Sequence, residues 1–191
     1  MPDAVMSFPP PLSLLLISLA LILAYTIPTM PSKSHPPIHP PILPPIPYLI
    51  FGIIEPISLI AGTIYPHLLP ADFITSQIPS NPTATITPSA LSLAYQVSNL
   101  YALLALLGLA VLHSTTEPRV VRNYLLALAV ADLGHVWAVG RGMGLQRFVD
   151  VAGWNALTWG NVGVTMALFG GRVVVLLGGW GGCSVEKGKK E

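Results

Sequence analysis

The sequence predicts an all-α, polytopic membrane protein: a four-transmembrane-helix bundle with an additional N-terminal hydrophobic segment. Three observations predict it. Of 191 residues, 52% are hydrophobic and only 9% are charged, against about 25% charged in an ordinary soluble domain. The mean hydropathy is +0.67, so the bilayer is the expected solvent. The apolar residues are also gathered into separate runs, most of them close to the ~20 residues that cross a hydrocarbon core.

The N-terminal hydrophobic segment is residues 1–27. Its apolar run, Leu12 to Ile27, is short for a span, which needs roughly 17–25 residues. No basic residue precedes it, so it makes a poor signal peptide. An anchor, an uncleaved signal and a wrongly predicted first exon all stay open. Residues 28–46 are a Pro-rich linker, expected to be extended polyproline II and to act as a spacer. The membrane domain is residues 47–179. Its spans are expected over Ile46–Tyr65, Ala90–His113, Val120–Gly140 and Asn155–Gly179, each near the length of a hydrocarbon core. A loop rich in Pro, Ser and Thr is expected over Pro66–Ser89. The stretch VGRGMGLQ, Val139 to Gln146, follows a span and opens no dinucleotide-binding unit, so it reads as a loop. Residues 180–191 form a basic tail.

Several function classes are excluded or lack support. The formal net charge of +1 gives no electrostatic case for nucleic acid. A single cysteine, Cys183, rules out an internal disulfide and any Cys₂ or Cys₄ metal site. The frame Asn81-Pro82-Thr83 is blocked for glycosylation by its proline. No GxSxG occurs, and Ser98 and Ser114 have no arrangement that suggests a nucleophile.

Orientation follows the basic residues. With both ends of the bundle in the cytosol, Lys33, Arg119, Arg122, Lys187, Lys189 and Lys190 lie inside. Only Arg141 and Arg147 then lie outside. The ending KGKKE resembles the dilysine retrieval signal of endoplasmic-reticulum membrane proteins, which needs a cytosolic tail. A plain basic tail reads the same way.

Ionisable groups inside a span cost roughly 2.5–3.5 kcal/mol each on insertion scales, so each needs a reason. Glu55 lies near the middle of the first span. Pro56 behind it cannot donate a backbone hydrogen bond, which frees the carbonyl of Gly52 and is expected to kink the helix. A protonated Glu55 would donate to such a carbonyl. The second span carries Gln96 and Asn99, and the third Asp132 and His135, each pair three apart and on one face. The fourth carries Trp154, Asn155, Trp159 and Asn161. At 1.5 Å per residue, Glu55 and Asn99 lie about 14–15 Å from the lumenal ends of their helices, with the other polar residues somewhat shallower. All four helices therefore place polar side chains at overlapping depths. Arg172, near the opposite end, is expected to snorkel or to cap its helix.

Packing glue between helices explains Gln96, Asn99, Asn155 and Asn161 as well as a site does. Two carboxyls and a histidine exceed what packing needs. Glu55, Asp132 and His135 are therefore the expected catalytic groups, since acid and base roles come from paired acids in unlike environments. The same three residues suit iron or zinc as a ligand set. With no HExxH pair or equivalent, no metal is expected, and no cofactor.

Taken in order, EP in the first span, SNLY in the second, ADLGH in the third and WNALTWGNVG in the fourth resemble a fungal family of small four-span integral membrane proteins. That family is catalogued as a domain of unknown function. The resemblance covers about Pro47 to Gly178, so the N-terminal segment and its linker lie outside it. It implies membership of fungal secondary-metabolite pathways. A looser likeness, of architecture alone, links the chain to EXPERA-type sterol isomerases and to small membrane terpene cyclases. Those also use membrane-embedded acids with asparagine and tryptophan nearby.

Two functions follow as expectations. In the first, a neutral Glu55 or Asp132 protonates an alkene or epoxide of a lipophilic small molecule. Trp154 and Trp159 stabilise the cation, and the other acid or His135 later removes a proton. Gln96, Asn99, Asn155 and Asn161 then bind the substrate. In the second, the chain is a non-catalytic accessory or scaffold for a pathway enzyme. The partners expected are membrane lipids, the lipophilic molecule and, on the second reading, that enzyme.

Overall fold

Proline marks where the first four helices begin. The computed structural model describes residues 42–80 and 86–181. The expectations for the N-terminal segment, nearly all of the linker, the Asn81 frame, Cys183 and the KGKKE tail fall outside the described residues. Helix α1 runs Pro45–Leu68, α2 Pro70–Thr75, α3 Pro88–Ser114 and α4 Pro118–Met143. Each of these four has proline in its first turn, where the missing N–H has no partner to lose. Helix α5 is Leu145–Val149, and α6 is Ala156–Leu176. The four long helices α1, α3, α4 and α6 are long and apolar enough to cross a membrane, and they are the four that the sequence predicts.

Side chains close the helix ends. Thr87 Oγ1 accepts from the Ala90 N–H at 3.1 Å at the start of α3. Asn155 Oδ1 accepts from the Thr158 N–H at 2.8 Å at the start of α6. Gly144, at φ +81°, ends α4 in a conformation that favours glycine.

Two stretches differ from expectation. The loop assigned to Pro66–Ser89 starts later, because α1 continues through a buried Pro66 to Leu68, and α2 follows at once. The stretch VGRGMGLQ is mostly helical: Val139 to Met143 complete α4, and Leu145 opens α5. Glycine alone does not stop a helix inside an apolar packing context. Only Gly144, where the backbone changes hand, does so here.

Neither α1 nor α6 is uniform. Tyr48–Ile54 forms a π-helical stretch in α1, with the Glu55 N–H bonded to the Ile50 carbonyl. Trp159–Val164 forms a second one in α6. Pro56 lies one residue beyond the first, after Glu55, in the opening turn of the α-helical part. The proline is thus met by a change of helix type at the point where a new ladder begins.

The spans pack chiefly as two antiparallel pairs, α1 with α3 and α4 with α6. The α3 seam against α1 is built from Ala94, Ser98, Ala105 and Gly108, small residues that let helix backbones approach closely. Leu43, Phe51, Leu112, Val121, Leu125 and Val175 form the apolar core. It lies at the end of the bundle where α1 begins and α6 ends, called here the terminal end. There Arg122 donates to the Leu176 carbonyl at 2.9 Å, a cation set on a helix C-terminus. Helices α2 and α5 lie at the opposite, loop end.

Candidate functional site

Glu55 of α1, Asp132 of α4 and Arg172 of α6 meet inside the bundle. The Arg172 guanidinium donates through Nη2 to Glu55 Oε1 and through Nη1 to Asp132 Oδ2. Its side chain is 0% exposed, and those of the carboxylates are 11% and 12% exposed. This corrects the expectation that Arg172 snorkels or caps its helix.

Side-chain direction explains the meeting. On a helix, side chains lean toward the N-terminus. Helices α1 and α4 start at the terminal end, so Glu55 and Asp132 lean toward it. Helix α6 starts at the loop end, so Arg172 leans inward from near its C-terminus and meets them. Phe51 braces the guanidinium, whose Cζ lies 5.2 Å from the ring centroid. Gly171 leaves room for that ring: a Cβ there would stand 3.2 Å from Phe51 Cζ.

The charge balance of the group is unusual. Arginine stays cationic in proteins, so one guanidinium balances one carboxylate. The second acid has no second guanidinium beside it, and in a low-dielectric interior an uncompensated charge is costly. Each carboxylate spends one oxygen on Arg172. The other oxygens, Glu55 Oε2 and Asp132 Oδ1, have no protein partner among the described residues. Arg172 Nε is also buried without a partner.

Glu55 and Asp132 both line a cavity of about 340 Å³. It extends along one face of α1 through Ser58, Gly62 and Tyr65. Helix α4 contributes Tyr124, Asp132 and His135, and α6 contributes Gly160, Asn161 and Thr165. The walls are otherwise mostly apolar, with Tyr101 and Leu104 from α3. The tyrosines fit against glycines of neighbouring helices. A Cβ on Gly62 would stand 3.1 Å from Tyr101 Cδ2, and one on Gly108 would stand 3.0 Å from the Tyr124 hydroxyl. Both π-helical stretches border the cavity: Glu55 follows the first, and Gly160 and Asn161 belong to the second. Such stretches are frequent at functional sites.

Of the nine residues singled out in the sequence, Glu55, Asp132, His135 and Asn161 share this cavity. The other five lie elsewhere. Asn155 caps α6, and its Nδ2 donates to the Ser76 carbonyl at 2.9 Å, tying α6 to the segment after α2. Trp154 and Trp159 pack edge to face at 5.1 Å, and Trp159 is 49% exposed. They sit at the loop end of α6, where aromatic residues suit a membrane–water interface. Gln96 and Asn99 are exposed on α3.

Ser98 is fully buried and lies 3.0 Å from His67 Nε2. Its hydroxyl donates to the Thr63 carbonyl at 2.7 Å, so His67 must be the donor in the second contact. That polarity makes Ser98 a helix tie and not an activated nucleophile. Among the described residues no three His, Cys, Asp or Glu side chains are grouped to hold a metal. The space between the two carboxylates, where a cation would bind, is filled by the guanidinium.

Sequence reasoning missed Arg172 and the tyrosines. The signal for Arg172 was present: it is the one arginine well inside a predicted span, on a helix running opposite to those of the acids.

The family model for a domain of unknown function, DUF7704, matches residues 41–182, and the chain belongs to that family. No curated protein and no solved structure matches the chain.

Proposed function

We propose that this DUF7704 member is an acid–base catalyst that isomerises or cyclises a lipophilic metabolite within the membrane. One observation carries the reading: Glu55 and Asp132, from different helix pairs, share one guanidinium at the edge of a largely apolar, tyrosine-walled cavity. The proton that balances the second carboxyl is the one delivered. It adds to an alkene carbon or an epoxide oxygen, and the resulting cation is stabilised by the ring faces of Tyr101 and Tyr124. The carboxylate left behind stays paired to Arg172 by a charge-assisted hydrogen bond. A neighbouring C–H proton then passes to His135 or to the second carboxylate, and the electrons of that bond form the new double bond. Proton transfer between the acid and base groups restores the starting state, so the reaction needs no cofactor. Asn161 is positioned to orient a polar group on the substrate.

The catalytic unit is assigned to residues 47–179, with 1–27, 28–46 and 180–191 as an N-terminal hydrophobic segment, a linker and a tail. The basic residues and the KGKKE ending support an endoplasmic-reticulum membrane with the C-terminus cytosolic. Placement in fungal secondary metabolism rests on the resemblance of the motifs alone.

A second reading has its own observation. Arg172 is completely sealed, and the same contacts would bolt the two helix pairs together with no chemistry, as in an accessory or scaffold for a pathway enzyme. Metabolite profiling separates the two. The strains compared are wild type, a deletion, and the deletion complemented with Glu55→Gln or Asp132→Asn at matched protein level. The catalytic reading expects the deletion to accumulate an isomer or an uncyclised precursor that neither variant removes. Full rescue by both variants rejects it, and a stoichiometric enzyme partner on purification then establishes the accessory role.

A further inference from the structure

Ser92, Gln96, Asn99 and Leu103 follow one another along α3 at spacings that keep one face of a helix, and all four are exposed. Ser92, Gln96 and Leu103 are each offset by two residues from Ala94, Ser98 and Ala105 of the buried seam toward α1, and Asn99 by five from Ala94 and one from Ser98. Two residues turn a helix by about 200°, so the Gln96–Asn99 stripe points away from the bundle. At about 1.5 Å per residue, Gln96 and Asn99 lie roughly 12 and 16 Å in from Pro88. A hydrocarbon core of about 30 Å encloses both. Gln96 donates to Ser92 Oγ on its own helix at 3.2 Å. The Asn99 amide has no partner among the described residues. A side-chain amide facing lipid without a partner is unfavourable, and this span places Asn99 in that position, on one line with Gln96, whose bond is to its own helix.

We infer that this face of α3 is where two copies of the chain pair within the membrane. An amide is both donor and acceptor, so it is its own complement. Two copies inserted in the same direction are related by a two-fold axis along the membrane normal, and α3 then runs parallel to its copy. Residues at equal depth meet, so Asn99 faces Asn99 and Gln96 faces Gln96. The four-three-four spacing is that of a parallel helix seam, in which a buried asparagine fixes the register. The hydrophobic run Leu12–Ile27 contains no Asn or Gln, so it offers hydroxyls but no matching amide.

The test uses the full-length chain in native membranes. Two differently tagged wild-type copies should co-purify from mild detergent. The yield should fall at least tenfold when both carry Gln96→Leu and Asn99→Leu. In a Cys183→Ser background, oxidation should give a disulfide-linked dimer with Asn99→Cys. It should give none with Val130→Cys, a control that is 66% exposed on α4. Absence of wild-type co-purification overturns the inference. So does co-purification that survives the double substitution, which would assign the stripe to another occupant such as Leu12–Ile27. Equal crosslinking at Val130 overturns it as well.

Discussion

Arg172 holds two acids that would otherwise be separate liabilities, which makes its removal and the removal of the whole group very different experiments. Arg172→Met leaves two carboxyls without their cation and should cost about 3–5 kcal/mol, the usual penalty for breaking a buried ion pair from one side. The expected sign is a large loss of folded protein on fluorescence-detected size exclusion after a heat step. Arg172→Met combined with Glu55→Gln and Asp132→Asn removes every charge together. It should recover most of that loss while leaving the metabolite profile of the deletion. If the triple variant is no more stable than the single one, the guanidinium does not act by charge balance. The two acids were legible in the sequence, because a charge in a span is expensive wherever its side chain points. Arg172 is less legible, because counting residues locates a Cα and not a guanidinium. Residue type points to the tryptophans of WNALTWGNVG as cation stabilisers, and they pack on each other at the loop end of α6. The benzenoid rings that line the cavity are those of Tyr65, Phe73, Tyr101 and Tyr124; Tyr101 and Tyr124 fit against Gly62 and Gly108 of neighbouring helices, and no pattern along one helix records that.

Elements carry a second kind of information. The four spans were legible to within a few residues, since their lengths follow from bilayer thickness and three of their four starts carry proline. Helix type was not. A π-helical stretch shifts the hydrogen-bond ladder by one residue without altering composition, so Tyr48–Ile54 and Trp159–Val164 look like ordinary apolar helix in sequence. The connections were also only partly legible, because α2 and α5 are too short to show a period. Asn155 ties these levels together by capping α6 and donating to the Ser76 carbonyl. Asn155→Ala should cost about 1 kcal/mol for the cap, plus the loss of the tie. Asn155→Asp keeps the acceptor and loses the donor, so it should be the milder change. A thermal-shift series with both variants reads the order directly, and equal losses would mean that the tie to Ser76 outweighs the cap.

The whole molecule divides into a packed terminal end and a loop end reached by the cavity, with the acid–arginine group between them. On the orientation that the basic residues favour, the cavity extends toward the lumenal side. An epitope placed at residues 81–85 should then be protected in sealed microsomes, and one at the C-terminus should be cleaved by added protease. The reverse pattern would invert the protein without changing the site, because the helices still alternate.

Glu55 and Arg172 are 117 residues apart in the chain. At roughly 5–20 residues per second of synthesis, Glu55 emerges about 6–23 seconds before the arginine that will hold it. During that interval the α1–α3 hairpin carries an acid without the guanidinium that pairs with it in the finished bundle. The final span therefore completes a test of assembly as well as a bundle. A nascent chain that stalls or is cut short before α6 displays an orphan carboxyl in the membrane, a mark by which a surveillance protease can tell it from the finished protein.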